Sequence, residues 1–262
     1  MKFFTNRLRE KIAVLAFSGF FCSRRNQIMK KSCLLVIVAA LAVATGTRAG
    51  DISGTVTLKG TPPAEKEFEK KSDPNCGSPK GSTHHYVVGA NGTLANCVVS
   101  LRGSGLGPSK GNSAPPALLD QKGCEYSPVI MAVQTGQKIM VKNSDPTLHN
   151  VHVVPGAGGN DEKNMAQGPN APDLPYTPTK PESFLMFKCD VHNWMYAWVS
   201  VFDHPYFAVT DKDGKYTIKN VPDGKYTLVV MHRKAAPAAS PMTKEVEVKG
   251  GNLTEDFTLE AK

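Results

Sequence analysis

The stretch Cys189-Asp-Val-His192-Asn-Trp-Met195, read with His149 in Asp145-Pro-Thr-Leu-His149-Asn150, constrains this chain more than any other feature. A thiol, two imidazoles and a thioether can serve one ion only if two distant stretches meet at one end of a rigid frame. Two His, one Cys and a weak axial thioether suit copper. Soft sulfur stabilises Cu(I), and imidazole tolerates both oxidation states. Zinc is the main rival, because Cys and two His suit it as well. Met195 tips the choice toward copper, since a thioether is a poor zinc ligand.

The frame reads as all-β. Short β-branched runs alternate with Gly, Pro, Asn and Asp, and no window carries a 3.6-residue apolar period. Strands are expected at 52–58, 86–88, 97–101, 129–133, 138–142, 150–154, 183–189, 197–201, 207–210, 215–218, 226–231 and 243–248. Such a series suggests sandwiches or barrels. Three segments read as loops: the charged 61–82, the Gly/Ser/Pro-rich 103–116, and 155–181, the longest. The last joins the His149 strand to the Cys189 strand, so it is expected near the metal, shielding it or docking a partner.

Alternate strand residues share a face. Leu185, Phe187 and Cys189 therefore form one inward row. Phe184 and Met186 are apolar on the other face, so the strand is expected to be covered on both sides. Tight turns through Asp190-Val191 and Asn193-Trp194 then return His192 and Met195 toward the same point, with Trp194 and Tyr196 as an aromatic rim. Taken singly, a strand His is more often structural, a Met beside Trp more often packing, and an exported Cys more often half of a disulfide. Their joint order and spacing favour a metal site. His152, three residues from His149, is expected on the opposite strand face. His84, His85, His204 and His232 read as structural.

Residues 29–49 read as a secretory leader: Met29-Lys-Lys, an apolar run from Leu34 to Ala44 too short to span a bilayer, and small residues before Gly50. Residues 1–28 read as an over-extended start or as part of a long, unusual leader. Removing 1–49 takes nine of the 31 Lys+Arg and one of the 23 Asp+Glu, leaving 31 − 9 = 22 against 23 − 1 = 22 and a net charge of zero. Nothing then favours a nucleic-acid partner, and no transmembrane anchor is expected after cleavage. The expected location is periplasmic or secreted, which permits disulfides. Cys76, Cys97, Cys124 and Cys189 remain. Cys76 and Cys124 both lie in turn-like contexts and are expected to pair, although spacing alone cannot fix connectivity. Cys97, in an apolar run, reads as a small buried hydrophobe.

Enzyme chemistry is not indicated. No Ser/His/Asp arrangement, paired carboxylates or phosphate-binding glycine loop presents itself, and the remaining His offer no second cluster. Asp211-x-Asp213-Gly214 lacks the further oxygen ligands of a calcium loop and reads as a turn.

These residues resemble a cupredoxin. Cys189-x₂-His192-x₂-Met195 is similar to the short ligand loop of amicyanins, and Asn143-Ser-Asp-Pro-Thr-Leu-His149-Asn150 to the plastocyanin-type segment around the first His ligand. The resemblance covers roughly 121–205. It implies a Greek-key β-sandwich or barrel and one type 1 copper, with His149, Cys189 and His192 equatorial and Met195 axial. It implies that Asn150 steadies the Cys loop by hydrogen bonding. It also implies that His192 shows its edge to solvent and passes single electrons to redox partner proteins. Asn193 departs from the Pro that often follows the loop His, and 155–181 exceeds the usual connection.

Thr210-Asp-x-Asp-Gly-x-Tyr and Pro222-Asp-Gly-Lys-Tyr-Thr-Leu resemble the carboxypeptidase regulatory-like (transthyretin-like) β-sandwich, and Ile52-Ser-Gly-Thr-Val-Thr-Leu58 its first strand. The implied layout is an N-terminal β segment at 50–113, a cupredoxin domain at 114–204 and the regulatory-like sandwich at 205–262; counting the first segment with the last module makes that sandwich discontinuous around the copper domain. The alternative to electron transfer is a cell-envelope binding, scaffold or copper-handling module.

Overall fold

A computed structural model describes residues 48–70, 73–235 and 242–262. The leader read at 29–49 lies outside them except for its last two positions, and the 1–28 extension lies outside them entirely. The described chain is all-β, with three single-turn 3-10 segments as its only helical elements. No helix among the described residues is long and apolar enough to cross a membrane.

Four main sheets bury two cores. In the first pair, Ala49–Lys59 is the organising strand. It runs antiparallel to Lys215–Pro222 and parallel to Leu253–Thr254 and Phe257–Glu260. Across from it, Val98–Arg102 lies between Phe207–Val209 and Gly224–Met231, with Met242–Val248 on the outer edge. Ile52, Val56, Ile218 and Phe257 meet Val99, Leu101, Leu228 and Val230 in one core. Strands from the two ends of the chain thus share sheets.

The second pair is built from the middle of the chain. A five-stranded sheet runs Lys163–Gln167, His149–Val154, Glu182–Lys188, Tyr196–Phe202, Ile130–Gln134, and the last two strands are parallel. The facing sheet runs Leu174–Tyr176, Ile139–Asn143, Ala117–Gln121, Tyr126–Ser127. Val151, Val153, Leu185, Phe187, Val199 and Val201 pack against Leu119, Tyr126, Ile139 and Val141. This is a β-sandwich, and apolar burial of this kind holds two sheet faces together.

Two segments read as loops are partly strand. Within 155–181, Lys163–Gln167 pairs directly with the His149 strand, with Gln167 opposite His149, and Leu174–Tyr176 pairs with Ile139–Asn143. These are short strands in which few residues are buried, and the buried residue of the first is the polar Gln167, so apolar alternation is weak. Within 61–82, Glu67–Glu69 and Lys80–Ser82 form a hairpin, and Pro74–Cys76 forms a 3-10 turn. Conversely, no strand forms at 86–88, where only a single bridge joins Val88 to Leu94. The Gly103–Pro116 segment is irregular apart from one short 3-10 turn at Gly111–Ser113.

Candidate metal centre

His149 opens its strand and Cys189 follows directly on the end of the antiparallel neighbour, so both side chains arrive at one end of the sandwich. The alternation follows the pleat: His149, Val151 and Val153 are buried, as are Leu185, Phe187 and Cys189. Phe184, Met186 and Lys188 on the opposite face are half-buried. A short loop then carries the chain back. Met195 N–H donates to His192 O at 2.9 Å and Cys189 N–H to Met195 O at 3.3 Å, closing the Cys189–Met195 turn on itself.

His149, Cys189 and His192 offer ligand atoms that all lie within 4.8 Å of one another. His149 Nδ1 stands 3.0 Å from His192 Nδ1, and Cys189 Sγ 3.8 Å from His192 Nδ1. Bonds of about 2.0–2.3 Å from a single ion bridge separations of this size. Met195 is buried in the same core as Cys189. The sulfur of Cys189 receives the backbone N–H groups of Asn150 and His192, each at 3.4 Å. N–H donors aimed at a sulfur suit a thiolate that bonds as a ligand.

Asn150 joins the two ligand stretches. Its side-chain oxygen accepts from Asp190 N–H, and its amide nitrogen donates to Asp190 Oδ2 at 3.2 Å. Tyr126, buried beneath, donates toward Asn150 O and Lys188 O, 3.3 Å from each. Burial pushes the Tyr126 phenol well above its usual range, so it stays a neutral donor.

Two carboxylates were not singled out as site residues in the sequence. Asp145 Oδ2 lies 3.0 Å from His149 Nε2, and Asp73 Oδ2 lies 3.2 Å from His192 Nε2. Each imidazole therefore turns Nε2 outward to a carboxylate and Nδ1 inward. With both Nε2–H groups donated outward, the two Nδ1 lone pairs face each other across 3.0 Å. One shared proton or one metal ion can bridge that separation, and with the Cys189 sulfur beside it the donor set fits a metal ion by its own chemistry. Burial pushes His149 below its ordinary value against the opposing pull of Asp145, which favours the neutral ring a metal needs. Asp145 lies four residues before His149, directly ahead of Pro146. Asp73 lies 119 positions from His192, and no spacing rule connects them.

One implied feature is corrected. The resemblance implies that His192 shows its edge to solvent, but His192 is only 1% exposed. The covering atoms come from the Asp73–Cys76 turn and from a disulfide joining Cys76 to Cys124. A ring nitrogen of His192 lies within 4.8 Å of both disulfide sulfurs. Trp194 adds to the cover. Its ring is 5.3 Å from that of His192, it stacks on Phe68 at 6.0 Å, and its Nε1–H donates to Cys124 O at 2.9 Å. Tyr196 donates to Thr83 O at 3.1 Å.

His152 points to the outer face, between Asp190 Oδ2 at 2.7 Å and Glu162 Oε1 at 2.9 Å, and takes no part in the His149–Cys189–His192 group. Cys97 is a buried free thiol in the other core.

No protein-family model and no curated protein matches this chain. Among solved structures, it is similar to a copper-containing nitrite reductase from Thermus scotoductus SA-01 (18% identity, TM-score 0.30, 34% of this chain), of whose length it spans 22%. It is also similar to an oxidized mutant of amicyanin (19% identity, TM-score 0.30, 39% of this chain and 98% of that one). A third is a purple cupredoxin from Nitrosopumilus maritimus (16% identity, TM-score 0.28, 32% and 98%).

Proposed function

We propose that this chain is an exported type 1 copper protein that carries single electrons between redox partner proteins. The observation that carries the reading is the convergence of two Nδ1 atoms and one thiol sulfur, 3.0 and 3.8 Å apart, with both Nε2 atoms turned to carboxylates. Copper, when bound, would supply one-electron Cu(II)/Cu(I) chemistry. His149, Cys189 and His192 would hold it, with Met195 as the weak axial ligand. The protein's part is rigidity. Asp145 and Asp73 fix both rings, Asn150 ties the two ligand stretches, and two N–H groups steady the sulfur. A donor set held this firmly moves little when an electron arrives. Copper is favoured over zinc by the thioether. Export, to the periplasm or beyond the cell, is supported by the leader pattern and by the disulfide.

We read 114–204 as the copper-binding module. We read 50–113 with 205–262 as a discontinuous regulatory-like sandwich, supported by the pairing of Ala49–Lys59 with Lys215–Pro222 and of Val98–Arg102 with Gly224–Met231.

The test is to load the metal-free chain with Cu(II), then measure copper stoichiometry, visible absorption and stopped-flow electron exchange. One copper per chain, an intense thiolate-to-copper band and fast exchange are expected. A colourless protein that takes zinc equally well would reject the assignment. A coloured protein that exchanges electrons slowly would favour the copper-handling or scaffold alternative.

A further inference from the structure

We infer that Asp73 is a positioning residue for His192, and that the Asp73–Cys76 turn is a built-in cover over that ligand's outer edge. The inference rests on the copper-site reading above for its consequence, but its geometry stands on the metal-free chain. Asp73 caps its own turn by accepting Asn75 N–H at 2.8 Å, and Pro74 fixes the next residue. One carboxylate oxygen thus holds the turn, while the other accepts from Thr147 and faces His192 Nε2 at 3.2 Å. Three residues on, Cys76 is bonded to Cys124, and both sulfurs are buried. The staple reaches the second histidine too. Gly123 N–H and Cys124 N–H donate to Asp145 at 2.6 and 2.8 Å, and Asp145 holds His149 Nε2. One disulfide therefore anchors the carboxylate of each imidazole, and the turn it fixes shuts solvent away from His192.

A carboxylate on the outer nitrogen of a ligating His sets the ring's tautomer and orientation, and its loss costs about 10–100-fold in metal affinity or activity. Asp73 acts on the metal only through His192. A ring held in this way should keep its Nε2–H slow to exchange with water even without metal.

The experiment compares wild type, Asp73→Ala and Asp73→Asn as full chains. In the metal-free proteins, nitrogen-15 NMR follows the His192 Nε2–H. In the copper-loaded proteins, the rate of copper removal by EDTA and the visible spectrum are followed. Wild type should show a protected Nε2–H. Asp73→Ala should lose it, release copper about tenfold faster or more, and shift the charge-transfer band. Asp73→Asn retains an acceptor oxygen and should recover the protected N–H and most of the slow release. An unchanged Nε2–H in Asp73→Ala would overturn the positioning role, whatever the metal does. Loss of that signal with copper release unchanged would overturn the cover. A wild-type chain with a protected Nε2–H that binds no copper would sink the electron-transfer reading and leave the positioning of His192 standing.

Discussion

The two cores each bury one free cysteine, and they treat it in opposite ways. Cys97 lies among aliphatic side chains, and its S–H points at the carbonyls of Leu94 and Ala95, 3.7 and 3.9 Å away. Carbonyl oxygens repel a thiolate, and burial pushes the Cys97 thiol up to about 12. Cys189 is equally buried, yet two backbone N–H groups face its sulfur. The residue type and the burial are the same, and the dipoles around the sulfur are reversed. Burial alone therefore does not decide what a thiol can do; the polar groups around the sulfur differ between the two sites.

The largest effect should come from exchanging the two sulfurs in turn. Cys189→Ser should abolish the thiolate-to-copper absorption altogether. Cys97→Ser should leave the band in place and lower only stability, as read by denaturant unfolding. Equal loss of colour in both variants would erase the distinction.

The second effect separates the cores by their covalent tie. The Cys76–Cys124 bond spans 48 positions and lies against His192. Chain-entropy arguments give about 4 kcal/mol for a loop of that size, within a usual range of ~2–5 kcal/mol. The double variant Cys76→Ser/Cys124→Ser should lose about that much in a denaturant titration.

The third uses pH, and it belongs to the first core. His232 is buried, accepts Ala235 N–H at 2.9 Å through Nδ1, and packs 5.4 Å from Tyr86. Burial holds it down at about 4, from an ordinary 6.5. The folded protein then resists a proton that the unfolded chain accepts. Stability is full above pH 6.5 and falls as pH drops from 6.5 to about 4, by about 3 kcal/mol for that shift. His232→Asn, which can still accept the amide, should flatten this slope in unfolding curves taken between pH 4 and 7. A slope unchanged in His232→Asn would place the titrating group elsewhere.

The smallest effect concerns the axial position. Met195→Leu should keep the colour, since the thiolate carries it, and should raise the reduction potential measured by redox titration. Loss of the band in Met195→Leu would mean that Met195 does more than weak axial duty.

How much of this could be read in the chain follows from the range of each interaction. The inward row Leu185, Phe187, Cys189 and the outward His152 follow from a period of two, and the structure places them so. Most long strands carry β-branched runs and appear near their expected positions. The short edge strand Lys163–Gln167 was hidden because four of its five residues are not buried, leaving no apolar alternation. The burial of His192 was hidden for another reason. It depends on Asp73, Cys76 and Trp194 arriving from separate segments, and local sequence cannot encode such a meeting. Asp145 lay within a quoted motif, but its two roles, accepting amides and holding His149, emerge only once Gly123-Cys124 is folded against it.

The most direct test of the central claim is X-ray absorption at the copper edge of the loaded full chain, with Cys189→Ser as control. One short sulfur and two imidazole nitrogens around a single copper are expected, with the sulfur gone in Cys189→Ser. A first shell of nitrogen and oxygen alone in the wild type would contradict the claim.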